Sequence, residues 1–250
     1  MLVIAKIKDL KQSRFIGGRI MYQCMKRCWL GVKFFSDGRL RYETLTKLRF
    51  GDRIHQQSTF TRSNRYPLLF KECADYLSSV SNPKILSFGC STGEEINSIG
   101  QYLPNANIMG VDINKWCLKQ GRRKYKNQNF SFVHRFSDEF TNANGFDAIF
   151  CMAVFQRTEN RTNKDNSVAC GLRFEQFEQE IKILDEKLRS GGLLIIDHAD
   201  FSFVDTTISK KYTPLRSFGR NKLLRNRPLF DRENQKIAEE YKSYRVFVKS

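Results

Sequence analysis

The sequence predicts an α/β fold, a mostly parallel sheet with helices on both faces. Three observations carry that reading. Lys84–Phe88 is a short apolar run of strand type, followed by the small-residue turn Gly89-Cys90-Ser91-Thr92-Gly93. Residues 94–103 then place Ile96, Ile99 and Leu103 on one helical face, up to the break at Pro104-Asn105. Residues 108–111 form a second buried-type strand with Asp112 at its end. Strand, glycine turn, helix, strand, acid is the order of a βαβ nucleotide-binding unit.

The chemistry of the turn narrows the ligand. Glycines at 89 and 93 let the chain bend sharply and let a ligand lie against the main chain. The free N–H groups at the helix start face that ligand. Asp112 follows Gly93 by nineteen residues. That spacing puts a carboxylate across the crevice, in reach of both hydroxyls of a ribose. A dinucleotide fingerprint wants glycines at 89, 91 and 94, where this chain has Gly89, Ser91 and Glu94. Glu94 obstructs close helix–strand packing, and with Glu95 it puts negative charge where a pyrophosphate would sit. S-adenosylmethionine has no phosphate, and its sulfonium and ammonium are cations. Acidic residues beside the turn suit it, and they suit the helix dipole. The turn therefore fits S-adenosylmethionine better than NAD.

The span from about 82 to 198 resembles the class I S-adenosylmethionine-dependent methyltransferases. Within it, Ser91-Thr92-Gly93-Glu94-Glu95 is most similar to the chemotaxis-receptor glutamate methyltransferases. The resemblance implies a Rossmann-like sheet of seven strands, the last ones forming an antiparallel hairpin at its edge, and S-adenosylmethionine as cofactor. It implies cofactor contacts from Gly89, Cys90, Ser91, Thr92, Gly93, Asp112 and Ile113. Asp138 would lie near the adenine amino group, with Met152 and Ala153 in the wall for adenine and the methyl group. Two departures matter. Ser87 stands where most class I enzymes have an acid that meets the methionine end, which leaves that contact to the loop backbone or to water. No receptor-binding insertion is evident, so the chemotaxis substrate does not carry over. The alternative is a domain of the same shape that binds another nucleotide or none.

A chain of 250 residues buries one sizeable core with extensions rather than two full domains. No apolar run approaches the ~20 residues of a spanning helix. The opening Met1-Leu2-Val3-Ile4-Ala5 lacks the pattern of a signal peptide, so the expectation is a soluble cytoplasmic protein. The seven cysteines lack zinc-ligand spacing and read as reduced thiols; no metal is expected. Charge is uneven. Residues 81–200 are neutral, residues 1–80 carry +10 and residues 201–250 carry +7, so the whole excess of +17 lies outside the cofactor core. A basic entrance for an anionic substrate and an ordinary solvated surface both fit that distribution.

The remaining elements are taken in order. Residues 4–10 suggest a short helix and residues 19–30 an amphipathic one, docked on the domain or touching an anionic membrane surface. Residues 32–42 suggest a small hairpin around Asp37-Gly38. Residues 51–66 are polar, and His55, Thr59, Arg62, Arg65 and Tyr66 are candidates for lid or substrate contacts. Residues 68–80 read as a helix burying Leu69, Cys73, Leu77 and Val80. A helix over 115–126 and strands over Phe130–His134 and residues 146–151 follow. Residues 157–173 form a long polar loop, and residues 174–188 a helix with a Phe174, Phe177, Ile181, Leu184, Leu188 stripe. Ser190-Gly191-Gly192 is expected to end that helix before the strand 193–197. His198, at that strand's carboxyl end, is the candidate general base for a hydroxyl, with His134 second and a plain hydrogen bond as the blander role. The tail holds a basic run from Arg216 to Arg227 and a final strand over 244–248.

The resulting division is a basic N-terminal extension and substrate-side lid over 1–80 and a methyltransferase domain over 81–250. The domain's last part, 201–250, supplies a basic loop and the edge hairpin. The favoured activity is O- or carboxyl-methylation of an anionic small molecule or glycan. An RNA-modifying methyltransferase that grips phosphates with its basic flanks is one alternative. An Asn- or Asp-Pro-Pro-aromatic stretch, common in enzymes that methylate amino groups of bases, is absent where Cys151-Met152-Ala153-Val154 stands. A non-catalytic binding protein is the other alternative.

Overall fold

The computed structural model describes residues 16–51, 54–56, 58–126, 128–157, 159–160, 167, 172–215, 229–237 and 244–250. The short helix expected over residues 4–10, the basic run 216–227 and most of the 157–173 loop lie outside them. Two compact units divide at residues 48 and 49.

The described residues of the first unit are helical. Helix α1 spans Ile16–Ser36 and α2 spans Gly38–Phe50, so the hairpin expected around Asp37-Gly38 is not formed. The reason is local. A two-residue hairpin turn of the Asp-Gly kind needs positive φ, which Gly38 does not adopt. Asp37 instead accepts hydrogen bonds from the N–H groups of Arg39 and Leu40 at 3.0 and 3.2 Å and so caps α2. Cys24 and Cys28, on α1, are exposed thiols.

The second unit is a seven-stranded sheet in the order β3-β2-β1-β4-β5-β7-β6. Strands β1 (Lys84–Phe88), β2 (Asn107–Asp112), β3 (Phe130–His134), β4 (Phe146–Met152) and β5 (Leu188–Asp197) pair in parallel. Strand β7 (Val246–Lys249) runs antiparallel between β5 and β6 (Tyr212–Pro214). Helices α3 (Pro67–Tyr76), α4 (Glu94–Tyr102), α5 (Lys115–Lys124), α6 (Asp138–Asn142) and α7 (Phe174–Lys187) complete the Rossmann-like α/β architecture. Two buried clusters form, one around Phe140, Phe155, Phe177 and Phe247, the other around Phe70, Ile85, Ile99 and Phe150. Each draws alternate residues of β1 and β4, because successive strand residues face opposite ways.

Two details differ from expectation. Helix α3 ends at Tyr76, although Leu77 is still buried and Val80 packs against the core beyond it. Ser190-Gly191-Gly192 lies inside β5 and does not end α7. The chain passes from Lys187 into extended Leu188, and the β4–β5 register shifts between Phe146 and Ala148. Gly191, at φ +71°, supplies the left-handed residue that this irregularity needs. The buried Lys187 ammonium donates to the carbonyls of Phe140, Thr141 and Ala143, which pins the end of α7. Among the described residues, no helix is long and apolar enough to cross a membrane.

Candidate active site

The site is built where β1 gives way to α4. Gly89 and Gly93 take φ of +80° and +93°, and Ser91 takes +51°, so the turn is held in conformations that glycine tolerates best. A Cβ on Gly93 would come within 2.7 Å of the Phe132 ring, so this glycine also lets α4 close on β3. A Cβ on Gly89 would lie 2.7 Å from Val154, which follows β4. Gly93 is the left-handed N-cap of α4, and Glu94 and Glu95 occupy the first turn against the positive end of the helix.

Asp112 turns inward to this loop. Its Oδ2 accepts the Ser91 N–H at 2.8 Å and its Oδ1 accepts the Asn114 N–H at 2.7 Å. Burial pushes its pKa above the usual carboxylate value, against the pull of the N–H groups of Asn114, Ser91 and Ile113. The other predicted cofactor residues divide. Cys90 is buried, with its thiol pushed far up by burial. Thr92 Oγ1 donates to Glu94 at 2.6 Å. Ile113 follows Asp112 at the crevice, and Met152 and Ala153 stand at the end of β4, Ala153 at φ +60°. Asp138 is exposed in the first turn of α6, after the Ser137 cap. His134 ends β3, four places from β5 in the sheet, with its ring tilted against Phe50 and edge-on to Phe136. At ~4.8 Å per strand it stands roughly 19 Å from the β5 end, so it does not share a site with His198.

Glu95 enters the sequence reading only as negative charge at the helix start, with no contact of its own. It accepts a 2.8 Å hydrogen bond from the Ser87 hydroxyl, so a carboxylate reaches the end of β1 from the neighbouring helix. Burial raises its pKa to about 7, with Ser87 and Arg65 opposing the rise. The signal was available: a serine at position 87, where an acid was missing, and a Glu-Glu pair directly after the loop, in the first turn of the helix.

Residues 54–66 form a strap across the crevice. The Arg157 guanidinium donates to the Ile54 carbonyl, Gln56 Nε2 to the Ala153 carbonyl at 3.4 Å, and Ser91 Oγ to the Thr59 carbonyl at 2.8 Å. Of the sequence candidates, Thr59 thus touches the glycine turn through its backbone. His55, within the strap, lies 3.6 Å from Glu180 and against Phe155. Arg62, Arg65 and Tyr66 line a cavity of about 440 Å³ together with Asp197, His198 and Arg245.

Residues 86–169 match the family model of a methyltransferase domain. The match covers about a third of the chain. The matched span contains the glycine turn, Glu95, Asp112 and the β4 wall. No curated protein matches the chain. Among solved structures it is similar to an O-methyltransferase of putative assignment from Nostoc punctiforme PCC 73102, at 18% identity over 51% of this chain and 35% of that one, TM-score 0.37. It is similar to the plantazolicin methyltransferase BpumL in complex with SAH, at 19% identity over 78% of this chain and 62% of that one, TM-score 0.37. It is similar to PKMT2 from Rickettsia typhi, at 19% identity over 55% of this chain and 26% of that one, TM-score 0.37. The chain thus spans less than two thirds of each of those proteins.

The residues around the turn can be compared with the chemistry of S-adenosylmethionine. Asp112 retains acceptor capacity on both oxygens beyond its two short backbone contacts, as a ribose diol requires. Glu95 offers a half-buried carboxylate with one short hydrogen bond, which suits an ammonium. A phosphate would meet Glu94 and Glu95 at the helix start instead of free N–H groups, so the charge pattern fits this cofactor and opposes a dinucleotide.

Proposed function

We propose that this protein is an S-adenosylmethionine-dependent methyltransferase that acts on an oxygen atom of an anionic small-molecule or glycan acceptor, by O- or carboxyl-methylation. The observation that carries the reading is the pair of half-buried carboxylates flanking the glycine turn, Asp112 against Ser91 and Glu95 against Ser87. Asp112 would hold the ribose hydroxyls, Glu95 the ammonium, and the 89–93 main chain the body between them. S-adenosylmethionine, when bound, supplies a methyl group already made electrophilic by its sulfonium. The protein's task is then to place a nucleophile in line and close, which is catalysis by proximity. The strap 54–66 excludes water from the crevice. A carboxylate acceptor carries no proton and needs no base. For a hydroxyl, His198 is the group that would take the proton, its Nδ1 lying 3.1 Å from Asp197. The neutral core and the +17 excess outside it support an anionic acceptor.

Calorimetry with S-adenosylhomocysteine tests the cofactor assignment, and transfer of labelled methyl to fractionated extract tests the acceptor class. Saturable binding with base-stable or ester label in small acidic molecules is the expected result. Label that ribonuclease releases moves the protein to RNA modification. Absence of binding removes the enzymatic reading.

A further inference from the structure

The cavity at the carboxyl end of β5 has a charge pattern of its own. Arg62, Arg65 and Arg245 all line it, against one carboxylate, Asp197. Asp197 has two cationic-type neighbours. His198 Nδ1 lies 3.1 Å from it and Arg245 Nη1 3.6 Å. Burial pushes the Asp197 pKa upward, yet His198 and Arg245 hold it below the usual carboxylate range, so the carboxyl is ionised and charge-paired, although its Oδ2, like His198 Nδ1, has no hydrogen-bond partner. Arg245 is nine-tenths buried, with side-chain exposure of 9%, and its Nη2 has no hydrogen-bond partner. A buried guanidinium N–H left without an acceptor is costly, and an anion supplied by a ligand would satisfy it.

Two further features face the same space. Helix α3 starts in its wall, where Tyr66 provides no side-chain cap, Pro67 opens the helix and the first turn holds no acid. The positive end of that helix is therefore open to a negative group. The cavity also adjoins the end of β4. Met152 pairs with Asp197 in the sheet, and the Ala153 N–H donates to the Asp197 carbonyl at 2.8 Å. It thus opens beside the wall that the methyl-transfer reading assigns to the reacting groups.

We propose that this cavity is the acceptor's anion-binding site, in which Arg245, Arg62 and Arg65 hold a carboxylate or phosphate group while the reacting oxygen points to β4. This rests on the methyltransferase reading above and adds the residues that select the substrate class. Guanidinium forks match the geometry of such oxyanions, which lysines do not. The same chemistry could come from the acceptor or from the amino-acid carboxylate of the cofactor, and the test separates them.

The probes are succinate and inorganic phosphate, titrated into full-length protein with and without saturating S-adenosylhomocysteine, and followed by the arginine Nε–Hε resonances. The cofactor-saturated wild type should bind a probe saturably. Arg245→Gln and Arg62→Gln should each weaken that binding by about tenfold, the worth of a charge-assisted hydrogen bond. Affinity for S-adenosylhomocysteine should hold within about twofold, since none of its assigned contacts changes. Arg62 is exposed, so its variant decides the matter if the Arg245 variant fails to fold. Equal probe affinity in both variants, or no saturable binding by the wild type, overturns the proposal. So does a loss of S-adenosylhomocysteine affinity in step with the probe, or binding of the probe only without it, since the cavity would then hold the cofactor's own carboxylate. A wild type that binds a probe but not S-adenosylhomocysteine defeats the methyltransferase reading first, and the acceptor assignment with it.

Discussion

Glu95 makes cofactor binding sensitive to pH in a direction set by its surroundings. Burial lifts its carboxyl to about 7, while the Ser87 hydroxyl and the Arg65 guanidinium act the other way. The thiols it influences, Cys90 and Cys151, are themselves pushed far up by burial and stay neutral. An ammonium needs the ionised carboxylate, so a proton leaves Glu95 on binding wherever the pH is near or below 7. A group titrating there is roughly one-tenth ionised at about pH 6 and nine-tenths at about pH 8. Affinity for S-adenosylhomocysteine should therefore rise about tenfold across that interval and level off above it. Isothermal titration in two buffers of different ionisation heat reads both the affinity and the proton released. Glu95→Gln should abolish the slope and leave the affinity about tenfold or more below wild type at the alkaline end, the cost of a lost charged hydrogen bond. The ligand 5′-methylthioadenosine keeps the adenosine without the amino acid, and its affinity should not follow the slope. A flat wild-type profile, or the same slope in the Gln variant, refutes the assignment of Glu95 to the ammonium.

The same carboxyl should act on stability. Its pKa rises from 4.5 in the unfolded chain to about 7 in the folded one, so the unfolded chain loses its proton first. The wild type should then lose stability as pH rises from about 4.5 to 7, and Glu95→Gln, lacking the titration, should be the more stable by about 1–3 kcal/mol near pH 8 in urea melts. Asp185 shows the opposite sign. It accepts hydrogen bonds from Tyr212 at 2.8 Å and Lys211 at 3.0 Å, and burial is outweighed so that its pKa falls below the usual value. Asp185→Asn should cost about 1–3 kcal/mol at neutral pH, a difference that fades as pH drops below the carboxylate range. Asp112→Asn should weaken S-adenosylhomocysteine binding by about 1–3 kcal/mol in the same calorimeter. Gly93→Ala should destabilise by about 1–3 kcal/mol in a thermal melt, since it combines a φ of +93° with a Cβ at 2.7 Å from Phe132.

How far the site can be read from the sequence depends on how its parts are linked along the chain. The turn 89–93 and Asp112 lie within one βαβ unit, where spacing alone sets the geometry, and the inward turn of Asp112 onto Ser91 follows from it. The parallel strands were legible for a similar reason, since short apolar runs bounded by helices leave few other arrangements. Val32-Lys33-Phe34-Phe35 and Arg39-Leu40-Arg41-Tyr42 carry strand-like residues, and there the local pattern misled. A single side chain, Asp37 capping the next helix, decided against the hairpin. The anion cavity is the extreme case. Arg62, His198 and Arg245 belong to the strap, the end of β5 and the approach to β7, and only the antiparallel insertion of β7 beside β5 joins them. The basic excess of the two flanks was visible as a sum over the chain, but the sum could not distinguish a solvated surface from a binding site. The distinction lies in one group: Arg245 is buried with an unsatisfied N–H, and a surface arginine would have water there.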